Sequence, residues 1–330
     1  MEKRVAILGG GSWATALAKI VMLNQEHINW YMRKQLTINE FQSTGKNPGY
    51  LTNAKFDVSR ISFSANINTV IKASDILILA IPSPYVMQTL MKIRTKLNGK
   101  TIISAVKGMI PGENVLVTDY LHEHFEIPMD KLAIIAGPCH AEEIALERLS
   151  YLTIGCSDSN YAKELGQLFD TDFVRTTPST DVEGLEYSSV MKNIYAIAAG
   201  LCHSLRYGDN FQAVLISNAI QEIQRFADAL GKSEQRDINA SGYLGDVLVT
   251  CYSKFSRNRQ FGQMIGMGYS VKAAQMEMEM VAEGYYGTQA IHALNEKVNV
   301  NLPIVDAIYD VLFNHLSPTI VVNRLTQKLQ

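Results

Sequence analysis

Three consecutive glycines lie close to the start of the chain, between an apolar stretch and a helical pattern. Residues 4–8 are typical of a buried β-strand, and residues 12–18 combine small and apolar side chains with helical periodicity. The spacing, Gly9-x-Gly11-x-x-Ala14, is that of a strand passing into a helix at a dinucleotide site. Gly9 permits the tight turn, and Gly11 lets the backbone approach a pyrophosphate at the helix N-terminus. We therefore predict a dinucleotide-binding domain; a glycine-rich turn that binds nothing is the alternative.

The second predicted strand indicates which dinucleotide fits. An acidic residue at its end would bind the ribose hydroxyls of NAD, but the segment Met32-Arg33-Lys34 contains none. Arg33 and Lys34 instead favour a 2′-phosphate. We therefore expect the cofactor to be NADPH or NADH, with NADP favoured. The alternative is that these two cations are simply solvated.

Through residue 180 the chain alternates short β-rich runs with helical stretches. This alternation is typical of right-handed crossovers and of a largely parallel, doubly wound α/β sheet of the Rossmann type. The predicted strands are residues 4–8, 28–31, 61–63, 76–81, 101–105, 132–136, 152–155 and 173–176. A turn is predicted at Pro178-Ser179-Thr180. We predict two domains, an NAD(P)-binding domain over residues 1–180 and an all-helical substrate and catalytic domain over residues 181–330.

Helix caps and apolar periodicity organise the second half, where we find no convincing strand pattern. Four helices are expected: one from the N-cap Asp181 to Ser204, one over residues 211–230 with Gly231 as its stop, one over residues 271–275 capped by Ser270, and a last long helix from Pro303 through Phe313.

The composition of the 330 residues argues against several classes of protein. Hydrophobic residues make up 47% and charged residues 19%, and the net charge of -2 gives no overall field that favours nucleic acid or an anionic membrane. No apolar run approaches the roughly 20 residues of a membrane span. The four cysteines form no CxxC pair, and His122 and His124 do not share a helix face. We predict free thiols, a cytoplasmic protein and no metal site.

The segment from Gly245 to Gly262, GDVLVTCYSKFSRNRQFG, contains the most informative polar residues. Asp246 lies in an apolar run and needs a partner, because an unpaired buried charge is costly. Arg257 provides a rigid donor fork that fits a phosphate. A carboxylate, several hydroxyl groups and a guanidinium within one short segment together predict a site for a small phosphorylated, hydroxylated molecule. A helix end with solvated charges is the alternative.

Two lysines and a glycine loop extend this set. Lys107 follows the strand predicted over residues 101–105, at the sheet edge where α/β proteins bind ligands. The segment GPCHAEE, which begins at Gly137, is expected to line the same edge. Lys192 lies within an apolar helix, where burial would lower a lysine pKa towards a range useful for proton transfer. The alternative is that the lysine side chain extends along the apolar surface and its ammonium reaches water.

Together these segments resemble the NAD(P)-dependent glycerol-3-phosphate dehydrogenases of the bacterial type. The resemblance covers nearly the whole chain and rests on GGGSWATALA, VKG, GPCHAEEIA, EYSSVMKNIYAIAAGL, GDVLVTCYSKFSRNRQFG, VAEG and NLPIVDAIYDVLF. It implies reversible reduction of dihydroxyacetone phosphate to sn-glycerol 3-phosphate, supplying glycerophospholipid biosynthesis. The helical domain could support a homodimer. The chain departs from the family pattern at Ala14, where a glycine is usual, and at Cys139-His140 and Glu142, where Ser-Phe and Lys are usual.

The resemblance also implies roles for individual residues. Lys192 is expected to give and take the proton at the C2 oxygen, Lys107 to polarise the carbonyl, and Asp246 to orient Lys192 or a substrate hydroxyl. Further substrate contacts are expected from Gly137, Cys139, Thr250, Ser256, Arg257 and Asn258, of which Arg257 and Asn258 hold the phosphate. Cofactor contacts are expected from Gly9, Gly11, Ser12, Trp13, Arg33, Lys107, Ala141, Arg257, Val281 and Glu283.

Two other interpretations stay open. A related two-domain dehydrogenase of the β-hydroxyacid type could share the glycine loop and a Lys-Asn helix, although the SRNR segment argues against it. A non-catalytic nicotinamide sensor would need the cofactor loop, but it would not need Lys107, Lys192, Asp246 and Arg257 together.

Overall fold

The computed structural model describes residues 3–230, 236–278 and 280–330. The chain forms two compact units. The first comprises the residues up to Val106 together with Val117–Val182, and the second comprises Lys107–Leu116 together with Glu183–Gln330. The short segment that begins at Lys107 therefore packs with the helices of the second unit, although the strand before it and the helix after it belong to the first.

The first unit is built on one eight-stranded sheet. Its strands are β1 (Val5–Leu8), β2 (Ile28–Tyr31), β3 (Ile61–Ser64), β4 (Ile76–Leu79), β5 (Thr101–Ser104), β6 (Leu132–Ala136), β7 (Ser150–Cys156) and β8 (Val174–Ser179). Their order across the sheet is β3-β2-β1-β4-β5-β6-β7-β8. Every neighbouring pair is parallel except β6 and β7. The predicted doubly wound, largely parallel sheet is therefore confirmed.

Helices connect these strands and cover the sheet. They are α1 (Ser12–Asn24), α2 (Gln35–Thr44), α3 (Ile67–Lys72), α4 (Val86–Leu90), α5 (Val117–Phe125), α6 (Ala141–Ala145) and α7 (Ser159–Gly166). On one side of the core, Trp30 of β2 contacts Phe41 of α2 edge-on and stacks with Phe63 of β3, at centroid distances of 5.3 and 5.7 Å. This aromatic cluster fixes the end of β2 beside the glycine loop.

All eight predicted strands are present, but the predicted turn at Pro178-Ser179-Thr180 is wrong for its first two residues. The strand β8 continues through Ser179, and Pro178 pairs in register with Ile154. Because β8 is an edge strand, a residue without a backbone N–H is tolerated there. The edge position follows from the order of strands in the sheet, which the local sequence does not reveal.

The second unit is helical. Its helices are α8 (Val182–Ser204), α9 (Asp209–Leu230), α10 (Asp246–Tyr252), α11 (Arg257–Gly266), α12 (Val271–Glu277), α13 (Glu283–Val298), α14 (Pro303–Leu312) and α15 (Pro318–Thr326). No strand occurs in its described ranges, as predicted. The four predicted helices are present, and Ser270 caps α12 as expected. The helix from Pro303 is not the last, since α15 follows it. The predicted stop at Gly231 lies outside the described residues.

The helix α8 lies at the centre of this unit and is buried along most of its length. Small residues allow its backbone to approach its neighbours closely. A Cβ atom added to Gly262 of α11 would collide with the Ile197 carbonyl, and one added to Gly200 would collide with the Arg259 carbonyl. On α13, a Cβ at Gly284 would lie 2.5 Å from the Asn193 carbonyl oxygen. These contacts fix α8 relative to α11 and α13.

Within the described parts of the chain, no helix combines the length and apolar character needed to cross a membrane.

Candidate functional site

The glycine loop after β1 is held by backbone contacts from its neighbours. Gly9 has φ +136°, and a side chain there would collide with the carbonyl oxygen of Ala80. Its N–H donates to the Tyr31 carbonyl at 3.1 Å, and its own carbonyl accepts the indole N–H of Trp30 at 2.7 Å. Glycine is required here both by the backbone conformation and by the close approach of the chain after β4.

The N-terminus of α1 fits an anionic group. Gly11 is its N-cap; a Cβ atom there would meet nothing within 4 Å, so ligand atoms have room to approach the backbone. In this described part of the chain, no side chain caps the helix and the first turn has no acidic residue. The helix therefore presents its positive end without a competing carboxylate. Asn47 steadies the loop by donating to the Gly10 carbonyl at 3.1 Å and to the Thr15 hydroxyl at 2.7 Å.

The other predicted cofactor residues of the first unit come from three separate parts of the chain. Ser12 and Trp13 are the first two residues of α1, and Trp13 packs partly against the core. Arg33 and Lys34 are exposed just after β2. Ala141 is the first residue of α6 and is buried.

The loop after β6 holds the predicted substrate residues of the first unit. Gly137 has φ +106°, and a Cβ atom there would lie 2.7 Å from the Tyr151 carbonyl oxygen. The thiol of Cys139 is buried and donates to the Gly137 carbonyl at 3.1 Å. The thiol at this position is thus bonded to its own loop.

In the second unit, Lys192 and Asp246 form a buried ion pair. The ammonium Nζ lies 2.5 Å from the Asp246 Oδ1, and the two side chains are only 3% and 2% exposed. Lys192 comes from the middle of α8 and Asp246 from the first residue of α10. Asp246 therefore has the partner that its apolar surroundings require, and the ammonium is fixed in a water-poor environment where its charge acts strongly.

An amide network joins this pair to three other segments. Asn193, the residue after Lys192, donates to the carbonyl of Lys107 at 2.9 Å and accepts from Asn258 Nδ2 at 2.8 Å. Asn258 Oδ1 in turn accepts the backbone N–H of Gly284 at 2.8 Å. The network therefore connects α8, α11, the start of α13 and the segment that begins at Lys107.

Our sequence interpretation gave Asn193 no role. An asparagine within an otherwise apolar helix is unfavourable unless its amide is bonded, and this signal could have identified it. The amide of Asn258, predicted to hold a phosphate, already has a protein partner at each end.

The remaining predicted substrate residues lie at adjoining helix ends. The Thr250 hydroxyl donates to the Asp246 carbonyl at 2.6 Å. Ser256 is the N-cap of α11 and accepts from the N–H of Arg259. Arg257, the first residue of α11, is half-buried, and its guanidinium Nη1 lies 3.8 Å from the sulfur of Met280. A cation at a helix N-terminus favours an anion at that point.

Val281 and Glu283, predicted to contact the cofactor, lie at the start of α13. Val281 precedes the helix, and Glu283 is its first residue. Both belong to the second unit, whereas the glycine loop belongs to the first.

Two buried titratable groups belong to the same unit. Burial raises the pKa of the Cys251 thiol to about 12, so it stays protonated near neutral pH although Lys192 and Arg259 lower that pKa. Burial also raises the pKa of Glu222 to about 8, against hydrogen bonds that lower it. Glu222 accepts the backbone N–H of Ile304 at 2.6 Å and the hydroxyl of Tyr195 at 3.2 Å. It therefore caps α14 from α9, which the sequence interpretation missed.

No group of His, Cys, Asp and Glu side chains suited to a metal ion occurs among the residues that the structure describes.

Two family models match the chain. The model described as "NAD-dependent glycerol-3-phosphate dehydrogenase N-terminus" matches residues 4–162, and its C-terminal counterpart matches residues 181–323. Together they cover most of both structural units, including the glycine loop, Lys107, Lys192, and the segment from Asp246 to Asn258.

Relatives and solved structures agree with these matches. A protein named glycerol-3-phosphate dehydrogenase [NAD(P)+] from Clostridium botulinum is 33% identical over 323 residues, which are 98% of this chain and 96% of that protein. One of the same name from Exiguobacterium is 34% identical over 329 residues, 99% of this chain and 96% of that protein. The crystal structure of glycerol-3-phosphate dehydrogenase from Coxiella burnetii superposes with a TM-score of 0.90 at 26% identity, covering 98% and 99% of the two chains. The chain belongs to the NAD-dependent glycerol-3-phosphate dehydrogenase family.

Proposed function

We propose that the protein reduces dihydroxyacetone phosphate to sn-glycerol 3-phosphate with NADPH or NADH, and catalyses the reverse reaction. The observation that carries the proposal is the buried Lys192–Asp246 pair, joined through Asn193 to the backbone of Lys107. A ketone that becomes an alcohol develops negative charge on its oxygen and needs a proton there, and two lysines supply both.

Lys192 is the proposed proton donor in the reductive direction and, as the amine, the acceptor in the oxidative direction. Its ammonium is held by Asp246 at 2.5 Å, which fixes the orientation of the N–H donors. Asp246 would orient Lys192 or a substrate hydroxyl through its buried side chain. Lys107 is proposed to polarise the carbonyl, with its backbone fixed by Asn193.

The cofactor fits the glycine loop of the first unit. Gly11 and the uncapped start of α1 would hold the pyrophosphate through backbone N–H groups, while Gly9 would make the tight turn that leads into them. Arg33 is exposed just after β2 and would contact the 2′-phosphate of NADP. This proposed contact is the basis for the preference for NADPH. The remaining proposed cofactor contacts are Ser12, Trp13, Lys107, Ala141, Arg257, Val281 and Glu283. When bound, the reduced nicotinamide supplies the hydride for C2 of the substrate.

Arg257 is proposed to bind the substrate phosphate. Its guanidinium is half-buried at the N-terminus of α11, where the helix dipole adds positive potential. Asn258 supports this site through its bonds to Asn193 and Gly284, while Ser256 caps the same helix. Thr250, Gly137 and Cys139 are the remaining proposed substrate contacts. Because the phosphate is remote from C2, its binding energy can orient the carbonyl for reduction.

The proposal also covers the roles of the two domains, the use of the product and the assembly of the protein. Residues 1–180 would bind the cofactor and residues 181–330 the substrate. The product would supply glycerophospholipid synthesis in the cytoplasm. A homodimer is proposed as the assembly, and it is testable by measuring the mass of the protein in solution.

Oxidation of the reduced nicotinamide, followed by its absorbance, tests the activity. We expect turnover with dihydroxyacetone phosphate and none with β-keto acids. Turnover of a β-keto acid instead would favour the hydroxyacid dehydrogenase, and cofactor binding without turnover would favour a sensor.

Substitution of Lys192 tests its role in proton transfer. Removing Lys192 alone would take away the ion-pair partner of a buried carboxylate and destabilise the unit. The informative variant is therefore Lys192→Met combined with Asp246→Asn, with Asp246→Asn alone for comparison. We expect the double variant to lose a factor of roughly 100 to 10,000 in kcat while remaining folded by circular dichroism. A folded double variant with near-normal kcat contradicts the role of Lys192.

A further inference from the structure

A methionine-rich segment lies before α13, and no function has been given to it so far. Met276 lies near the end of α12 and is 78% exposed, whereas Met280 is half-buried just before α13. The two methionines are therefore in different environments, although they belong to one short stretch of sequence.

Met280 contacts the proposed phosphate-binding arginine. Its sulfur lies 3.8 Å from Nη1 of Arg257. Among the described residues, Arg257 forms no ion pair with a carboxylate. A thioether is a weak acceptor, whereas a guanidinium has five donors in a fixed fork. The contact therefore restrains one arm of the guanidinium and leaves its other donors available to an anion.

We propose that Met280 is a positioning residue for the substrate phosphate, acting through Arg257. A carboxylate or amide oxygen in place of the sulfur would hold the guanidinium more strongly and would compete with the phosphate. An aliphatic side chain would fill the space but leave the guanidinium unrestrained, so that more of its conformational freedom is lost on binding. The thioether lies between these two cases. This inference rests on the proposed function, since it assumes that Arg257 binds the phosphate of dihydroxyacetone phosphate.

A positioning role differs from simple space filling in two measurable ways. An effect that passes through Arg257 requires Arg257 to be present, and an effect on the phosphate requires the substrate to have one. A change in kinetics caused only by loss of packing would appear whether or not Arg257 is present, and whether or not the substrate has a phosphate. Leucine is close in volume to methionine, so Met280→Leu disturbs the packing little.

The test is a set of steady-state measurements with dihydroxyacetone phosphate and with dihydroxyacetone, which lacks the phosphate. We expect Met280→Leu to raise KM for dihydroxyacetone phosphate by roughly two- to fivefold, the size of one weak hydrogen bond. Met280→Gln, with a stronger acceptor, should raise it further, by about tenfold. Neither substitution should change kcat/KM for dihydroxyacetone. Met276→Leu is the matched control, in the same segment but exposed, and should leave all constants unchanged.

The Arg257→Ala background completes the experiment. There, KM for dihydroxyacetone phosphate should already be high, and Met280→Leu should add nothing to it. The proposal is overturned if Met280→Leu leaves KM unchanged in the wild-type background, if its effect persists without Arg257, or if it affects dihydroxyacetone equally. An Arg257→Ala variant with normal KM also overturns it. Failure of the wild type to reduce dihydroxyacetone phosphate would instead refute the proposed function itself.

Discussion

Gly284 is the position where packing and the proposed chemistry are most directly joined. Its backbone N–H donates to Asn258 Oδ1 at 2.8 Å, and an added Cβ atom would lie 2.5 Å from the Asn193 carbonyl oxygen. Ordinary van der Waals contact begins near 3.4 Å. Gly284→Ala therefore requires α13 and α8 to separate by about 0.9 Å at this point, or the residue to rotate away from Asn258.

Two opposing effects set the change in stability. In a helix, alanine is more favourable than glycine by up to about 1 kcal/mol. Forcing a methyl group into a filled space, however, costs about 1–3 kcal/mol. The neighbouring atom is backbone and cannot swing aside, so we expect the packing cost to exceed the propensity gain. The predicted net loss is about 1–2 kcal/mol in the free energy of unfolding. A displacement near 1 Å beside Asn193 should also reduce kcat/KM by roughly 10- to 100-fold.

Gly208→Ala is the control for packing, because Gly208 lies just before α9 and a Cβ there would meet nothing within 4 Å. Unfolding in denaturant gives the change in stability for both variants, and oxidation of the reduced nicotinamide gives kcat/KM. If Gly284→Ala matches Gly208→Ala in both measurements, α8 and α13 are not held as closely as the geometry indicates. If it loses stability but keeps kcat/KM, the amide network does not support the active site.

Two further predictions use other parts of the molecule. Glu222 has a folded-state pKa of about 8, against an ordinary glutamate pKa of 4.5, so its contribution to stability is full below about pH 4.5 and is lost as pH rises through about 8. The free energy of unfolding of Glu222→Gln should therefore lack this dependence, and the difference from the wild type should change by up to about 1.4 kcal/mol per pH unit in that window; parallel pH profiles would show that Glu222 is ionised in the folded protein. Arg33→Ala should raise KM for NADPH far more than KM for NADH, and equal changes would remove the argument for a 2′-phosphate contact.

The sheet could be predicted because its signals are local. The strands β1, β4 and β6 are short apolar runs. The Gly9-x-Gly11 spacing marks the passage from β1 to α1. Pro178 is a residue whose structure local sequence signals do not determine. A proline excludes a central strand but permits an edge strand, and the position of β8 at the edge depends on how all eight strands are ordered.

The site was harder to predict because its bonds join segments that are distant in sequence. The apolar run around Asp246 indicated that the acid needs a partner, and the structure identifies that partner as Lys192. The bond from Asn193 to the Lys107 backbone spans 86 positions, and the bond to Asn258 spans 65. Neither can be derived from spacing, since both depend on which helices meet and on how closely they pack.

The close packing of α8 also fixes the geometry that the buried ion pair of Lys192 and Asp246 requires. Removing Lys192 and Asp246 from water is costly, and their attraction offsets that cost only when geometry is well fixed. Glycines at the contacts with α11 and α13 bring backbone within reach of the asparagine amides, and the amides hold the helices in register. The same dry, rigid setting strengthens the field of the ammonium at a developing oxyanion. Conformational precision around Lys192 thus contributes to the reaction as well as to the fold, which is why we expect Gly284→Ala to reduce kcat/KM together with stability.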